Sequence, residues 1–139
     1  MNVLERKMKF KKKISKFYKE IIFKLKKKIN LDKQILELAS LNELFNYFGT
    51  DKGTEVTNQY QKNPSKTDQK LIGHGYAQFY EKHLNIYKND KINILEIGTW
   101  KGASVAAFYH YFKNAIIFCI DKNFKFQFES NRVNFFNCD

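Results

Sequence analysis

Hydrophobic residues recur at helical spacing through the first 48 positions. In residues 1–30 the apolar positions fall three or four apart with lysines between them: Phe10, Ile14, Phe17, Ile21, Leu25 and Ile29. This pattern predicts a basic amphipathic helix. The same spacing continues through residues 31–48, and Gly49 follows. A second helix that ends at Gly49 is therefore predicted.

The pattern changes after Gly49. Residues 49–75 are mostly polar and hold the only proline and four of the six glycines, which predicts a long loop of the kind that usually carries function. Residues 76–87 return to helical spacing. We therefore expect residues 31–90 to be a helical region interrupted by this loop.

Residues 91–139 alternate between short apolar runs and one helical pattern. Apolar runs at 92–98, 115–121 and 133–139 predict three strands, and residues 103–112 predict a helix that follows the first of them. Strands without polar alternation favour a parallel sheet. The predicted fold is α/β, a Rossmann-like doubly wound parallel sheet that is incomplete at about three strands and is preceded by N-terminal helices.

The positive charge is confined to the first predicted helix. The chain has 139 residues and a formal charge of +11, yet residues 1–28 hold 12 Lys and Arg against Glu5 and Glu20. A basic amphipathic helix is typical of contact with an anionic membrane surface or an acidic partner groove. The alternatives are a helix that packs on the body or on another copy, or one that stays solvated. The helical spacing of the apolar stripe disfavours nucleic acid.

Cysteines and apolar runs bear on location. Cys119 and Cys138 have neither CxxC spacing nor a histidine partner, which indicates reduced thiols rather than a zinc site or a disulfide framework. The longest apolar run has six residues, far below the roughly 20 needed to span a bilayer, and no signal peptide is evident. These features predict a cytoplasmic protein, peripheral at the inner membrane face if the first helix binds lipid.

The stretch "ILEIGTWKGASVAAFYHYFKNAIIFCID" carries the candidate chemistry. Gly98 and Gly102 allow a tight turn between strand and helix, and Asp121 ends the next strand, where an acid can accept hydrogen bonds from ribose hydroxyls. A dinucleotide fingerprint needs a glycine where Trp100 stands. A ligand with a ribose but no phosphates is favoured, and an NAD- or nucleotide-binding Rossmann protein is the alternative.

These residues resemble a known motif. "LEIGTWKG" followed by a strand ending in Asp is similar to motif I of class I S-adenosylmethionine-dependent methyltransferases. Upstream, "FGTDKG" at 48–53 and "HGYAQFY" at 74–80 resemble the TDK and HGY segments of bacterial enzymes related to the macrolide sugar O-methyltransferases. The resemblance covers residues 41–139, which correspond to the N-terminal half of such an enzyme.

The resemblance implies a set of cofactor-binding residues. Glu96, Gly98 and Thr99 would border the methionine part of S-adenosylmethionine, and Trp100 would be either a lid over it or ordinary surface packing. Gly102 completes the turn. Asp121 would hold the ribose and Asp139 would lie beside the adenine. The remaining candidates, placed near the cofactor mouth, are Lys52, His74 and Tyr76.

The resemblance also implies what a longer form would add. In the family, groups that face the methyl acceptor, here expected to be a sugar or small-molecule hydroxyl, come from later strands, as do any ligands for a divalent metal. We therefore expect the cofactor-binding portion of an enzyme, truncated and without assigned catalytic residues. A partner or oligomer is expected to cover the open sheet edge. The alternative outside enzymology is a non-catalytic module attached through its basic helix.

Overall fold

The computed structural model describes residues 3–56 and 73–138. Single 3-10 turns lie at Leu31–Lys33 and Asn85–Tyr87. The helices and strands of these residues are, in chain order, α1 Val3–Leu25, β1 Ile29–Asn30, α2 Leu41–Phe48, α3 Ala77–Leu84, β2 Asn93–Ile97, α4 Ala103–Tyr111, β3 Ile116–Asp121, β4 Phe128–Glu129 and β5 Val133–Asn137.

The main sheet has three parallel strands in the order β2-β3-β5. Asn93 lies opposite Ile116, and Ile117 lies opposite Val133, so all three strands end at the same edge. Helix α4 connects β2 to β3. This topology confirms the predicted fold class, an incomplete Rossmann-like α/β fold with helices before the sheet.

Helix α4 forms the centre of the core. Eight of its nine residues are buried, as expected of a helix that is apolar on all sides. It packs against Ile117 and Cys119 of β3, which are fully buried. On its other side Phe108 meets Phe45 of α2, with ring centroids 5.5 Å apart. The opposite face of the sheet is exposed in the described residues and includes Leu95 and Ile97.

Helix α2 has defined signals at both ends. The Ser40 side chain accepts a hydrogen bond from the Glu43 N–H while the Glu43 carboxylate accepts one from the Ser40 N–H, forming a capping box. Hydrogen bonds from Ser40 and Ala39 hold the pKa of Glu43 below its usual value. Gly49 ends the helix with a left-handed φ of 71°. The predicted end of this helix is therefore confirmed.

The prediction of one helix over residues 31–48 is wrong for its first ten residues. Asp32 accepts hydrogen bonds from the Tyr109 hydroxyl at 2.7 Å, the Ser130 hydroxyl at 2.8 Å and the Asn131 N–H at 2.9 Å. These bonds, with Tyr109 first, hold the pKa of Asp32 below its usual value. Contacts distant in sequence thus keep this segment out of a helix.

The first helix also stops earlier than expected. Helix α1 ends at Leu25, and Ile29 belongs instead to β1, where it pairs with Phe128 of β4 in a second, two-stranded parallel sheet. A two-residue strand has no periodicity of its own. Ile29 therefore matched the helical spacing of the preceding apolar residues by coincidence.

Candidate functional site

The turn between β2 and α4 has an unusual backbone. Gly98, Trp100 and Gly102 all have left-handed φ angles, of 82°, 47° and 89°. Only a few per cent of non-glycine residues adopt this region, and a bulky one is rarer still. A side chain at Gly102 would collide with the ring of Phe126, so glycine is required there by both conformation and space. The predicted glycine turn is therefore present.

Asp121 lies directly beneath this turn. One of its carboxylate oxygens accepts a hydrogen bond from the Trp100 N–H at 2.6 Å, and the other accepts one from the Asn123 N–H at 2.8 Å. The side chain is buried. Hydrogen bonds to an ionised carboxylate are among the stronger ones in proteins, so Asp121 holds the left-handed Trp100 in place. Each oxygen retains a further acceptor site.

Glu96 is a second acid on the same side of the sheet, and its side chain is partly buried. Its Oε1 atom accepts a hydrogen bond from the Ser104 hydroxyl at 2.6 Å and lies 3.2 Å from the Lys52 ammonium. Its Oε2 atom is buried and has no hydrogen-bond partner among the described residues. The Thr99 hydroxyl oxygen is likewise buried and has no hydrogen-bond partner among the described residues. Such orphaned polar atoms mark a site that a polar ligand or water completes.

The TDK and HGY segments pair with each other. The His74 N–H donates to the Asp51 carbonyl at 2.6 Å, and the Tyr76 N–H donates to the Lys52 carbonyl at 2.9 Å. The His74 ring lies 3.5 Å from the Asp51 carboxylate and stacks on Tyr76 with centroids 4.7 Å apart. The two motifs are thus one structural unit, which presents Lys52 to Glu96.

A cavity of about 320 Å³ lies between this unit and the glycine turn. A volume of this size is at the lower end of small-molecule sites. The cavity is lined by two chain segments, and its lining residues are Gly49, Thr50, Asp51, Lys52, Val56, Gly98, Thr99, Trp100, Lys101, Ala103 and Ser104.

The predicted site residues occupy three kinds of place around this cavity. Gly98, Thr99, Trp100 and Lys52 line it, whereas Gly102 lies against the ring of Phe126 instead. Glu96 and Asp121 lie behind the wall and contact it through Ser104 and Trp100. His74 and Tyr76 stand behind Asp51 and Lys52 rather than on the wall. Asp139 lies outside the described residues.

Two residues that are not among the candidates from the sequence also belong to the site. Ser104 bridges the helix start to Glu96, and Asp51 joins the TDK loop to His74. Ser104 stands among the small residues at the start of α4, and Asp51 is the acid of "TDK" itself. Their positions in or next to the motifs could have marked both residues as candidates. No sequence pattern, however, indicates that Ser104 contacts Glu96 or that Asp51 contacts His74.

Trp100 is half exposed on the rim of the cavity. The ammonium groups of Lys101 and Lys125 lie 4.7 Å and 5.9 Å from the centre of its ring. The indole therefore sits in a positive environment in which cation–π attraction favours its exposed position.

No cluster of three or more His, Cys, Asp or Glu side chains with metal-binding geometry occurs in the described ranges. Within those ranges every helix is too short or too polar to cross a bilayer.

Comparison with known proteins agrees with this architecture. The demethylmacrocin O-methyltransferase of Streptomyces fradiae is 28% identical in an alignment of 67 residues that covers 43% of this chain and 17% of that protein. A solved structure also matches: the MycE methyltransferase from the mycinamycin biosynthetic pathway, in complex with Mg, SAH and mycinamycin VI. The structural alignment covers 74% of this chain and 25% of the MycE chain. Its TM-score is 0.53 and its identity 19%.

The extent of these matches limits what they show. The chain spans about a sixth of the curated relative and a quarter of the solved structure. No protein-family profile matches it. The structural match extends over about three quarters of this chain, and the sequence match supports weak homology. The chain therefore resembles the S-adenosylmethionine-dependent methyltransferases of class I in its fold and, weakly, in its sequence.

Proposed function

We propose that the cavity between the TDK loop and the glycine turn binds S-adenosylmethionine. The observation that carries this proposal is the arrangement of Trp100 over Asp121 at the carboxyl ends of two parallel strands, the usual place for ligands in open α/β sheets. S-adenosylmethionine supplies a methyl group activated on a sulfonium.

The residues present fit the amino-acid part of this cofactor. Glu96 has one unpartnered buried oxygen and Lys52 carries a positive charge 3.2 Å from the other oxygen of the same carboxylate. An acceptor next to a cation is the arrangement that a zwitterion requires, because its ammonium donates to the acceptor and its carboxylate pairs with the cation. Lys52 and Glu96 would therefore orient the methionine part.

Asp121 would receive the ribose. It is held in a fixed orientation by the Trp100 and Asn123 N–H groups, and its remaining acceptor sites suit a pair of hydroxyls. The side chain of Trp100 stands where a pyrophosphate needs glycine, which disfavours NAD. In this proposal Trp100 forms one wall of the cofactor site, while His74 and Tyr76 position Lys52 from behind.

We further propose that a full-length form transfers the methyl group to a hydroxyl of a sugar or another small molecule. The relative is named as an O-methyltransferase of demethylmacrocin, and the solved neighbour was bound to mycinamycin VI. The groups that activate the acceptor, and any divalent metal, would come from further polypeptide. That polypeptide, or a partner, would also cover Leu95 and Ile97 on the exposed sheet face. The cytoplasmic location remains a prediction.

Titration of the folded chain with S-adenosylmethionine by calorimetry tests the proposal. Saturable binding is expected, with displacement by S-adenosylhomocysteine and not by NAD. Asp121→Asn keeps the side-chain size but removes the charge, and it should weaken binding about tenfold, equivalent to about 1.4 kcal/mol. Asp90→Asn, in an exposed turn, is the matched control and should bind normally.

Two results would contradict the proposed function. One is a wild-type chain that has native circular dichroism but no saturable binding. The other is stronger competition by NAD than by S-adenosylhomocysteine, which would place a dinucleotide in the cavity. Because Asp121 also holds the turn, Lys52→Gln serves as a second variant. It should weaken cofactor binding without altering the backbone contacts of Asp121.

A further inference from the structure

Helix α1 leaves an apolar stripe uncovered. Its described side chains from position 7 to 22 are exposed, with the partial exception of Glu20. Phe10 and Phe17 are 65% and 66% exposed, and Ile14 is 53% exposed. Apolar side chains aligned over several turns of a helix and left in water mark a contact surface. We call Phe10, Ile14, Phe17 and Ile21 the α1 stripe.

The helix is attached to the body by the face opposite the stripe. Among the side chains of α1 that the structure describes, Phe23 is the buried one, and its ring lies 5.5 Å from that of Phe124 and 5.4 Å from that of Phe135. Successive residues of a helix are about 100° apart, so Phe23 lies about 200° from Ile21. The contact that fixes the helix to the body therefore turns the α1 stripe away from it.

Positive charge surrounds this stripe. Residues 1–28 contain 12 Lys and Arg, and the charge continues past the helix end, where Lys26, Lys27, Lys28 and Lys33 surround a recess next to β1. The apolar stripe and the lysines together match a bilayer surface, whose headgroups are anionic and whose acyl boundary is apolar. A second copy matches less well, because the two helices would each carry the same large positive charge.

We propose that α1 docks this protein on the surface of an anionic bilayer. The helix lies in the plane of the interface, with the α1 stripe at the acyl boundary and its lysines among the headgroups. Because Phe23 packs on the body of the protein, the orientation of the helix on the bilayer also sets the orientation of the body. The proposal is independent of the cofactor site, so either can fail without the other.

Co-sedimentation of the full chain with vesicles tests the docking. Vesicles of phosphatidylglycerol and phosphatidylcholine should pellet the protein, whereas pure phosphatidylcholine should not. Raising the salt from about 0.1 M to about 0.5 M should weaken binding to the anionic vesicles at least severalfold, because exposed charges are then screened over shorter distances.

Paired variants separate apolar contact from charge. The double variant Ile14→Glu, Phe17→Glu should reduce binding to anionic vesicles at least tenfold. The control double variant Ile35→Glu, Ile86→Glu changes the net charge equally at two other exposed positions and should bind at least fivefold more tightly than the stripe variant. Ile14→Ala, Phe17→Ala preserves helix propensity and should give an intermediate loss.

Several outcomes would overturn the proposal. Equal losses in the stripe and control variants would mean that charge alone attaches the protein. Equal pelleting with neutral vesicles would remove the role of the lysines. Failure of the wild-type chain to bind vesicles, together with a dimer that dissociates in the stripe variant, would assign the stripe to a second copy. Failure of the wild-type chain to bind vesicles, together with RNA binding that persists in the stripe variant, would assign the helix to nucleic acid.

Discussion

Helices α1 and α4 use hydrophobic residues in opposite ways. Helix α4 spans nine residues, of which eight are buried, and it is enclosed between β3 and α2. Helix α1 spans 23 residues and contributes one side chain, Phe23, to the core among those described. Helical periodicity therefore indicates that a side is apolar, whereas burial depends on what the rest of the chain brings to that side.

The strongest test of this contrast removes one phenylalanine from each helix. Phe108 of α4 is 6% exposed and meets Phe45 and Tyr80, so Phe108→Ala should lower the free energy of unfolding by about 3–5 kcal/mol. Phe17→Ala in α1 should change it by less than about 0.5 kcal/mol. Urea unfolding followed by circular dichroism measures both. Equal effects would mean that α1 is packed in solution.

The entry to α4 provides a smaller test. Gly102→Ala should destabilise the protein by about 3 kcal/mol, since it adds a clash with Phe126 to the cost of a left-handed φ. Gly98→Ala is the matched control, because Gly98 has a similar φ but nothing within 4 Å of the added carbon, and it should cost about 1–2 kcal/mol. Similar thermal unfolding of the two variants would show that Phe126 moves aside freely.

The last predicted effect depends on pH and develops gradually. Burial on α4, with help from the charges of Lys113 and Arg132, lowers the pKa of His110 from 6.5 to about 4. Between these values the unfolded chain takes up a proton that the folded protein does not. Stability should therefore be complete above pH 6.5 and fall as pH drops toward about 4, with a limiting slope of about 1.4 kcal/mol per pH unit.

The variant His110→Phe should flatten this part of the pH profile, since the ring stacks on Phe48 and phenylalanine has a similar shape. His83→Phe, at an exposed position of α3, should leave the profile unchanged. Urea midpoints measured from pH 4 to pH 7.5, buffered in steps of about half a unit, compare the three proteins. A wild-type slope that persists in His110→Phe would assign the pH dependence to another group.

Sequence patterns predicted the segment from β2 to β3 with most accuracy. Its apolar runs are longer than those of β1 or β4, and Gly98 and Gly102 mark the turn between strand and helix. The third strand was also expected, although Asp139 at its end lies outside the described residues. Local signals were sufficient here because neighbouring residues in sequence make these elements and the turn that joins them.

The same reasoning failed where distant residues decide the backbone. Residues 31–40 have helical spacing, but Asp32 is held by Tyr109, Ser130 and Asn131 instead. The pairing of the TDK and HGY segments, and with it the contact of Lys52 with Glu96, was likewise not predicted. A hydrogen bond between residues 44 positions apart has no periodic signature.

What the sequence determined by itself is the class of the fold, the glycine turn and the acid that follows it. These depend on backbone freedom and hydrophobic patterning, which are properties of short stretches. Tertiary structure alone decided that Asp121 holds Trp100, that Glu96 keeps one oxygen unpartnered, and that the α1 stripe stays exposed. Each of these depends on which surfaces meet in space, because burial and pairing are properties of the folded arrangement of the whole chain.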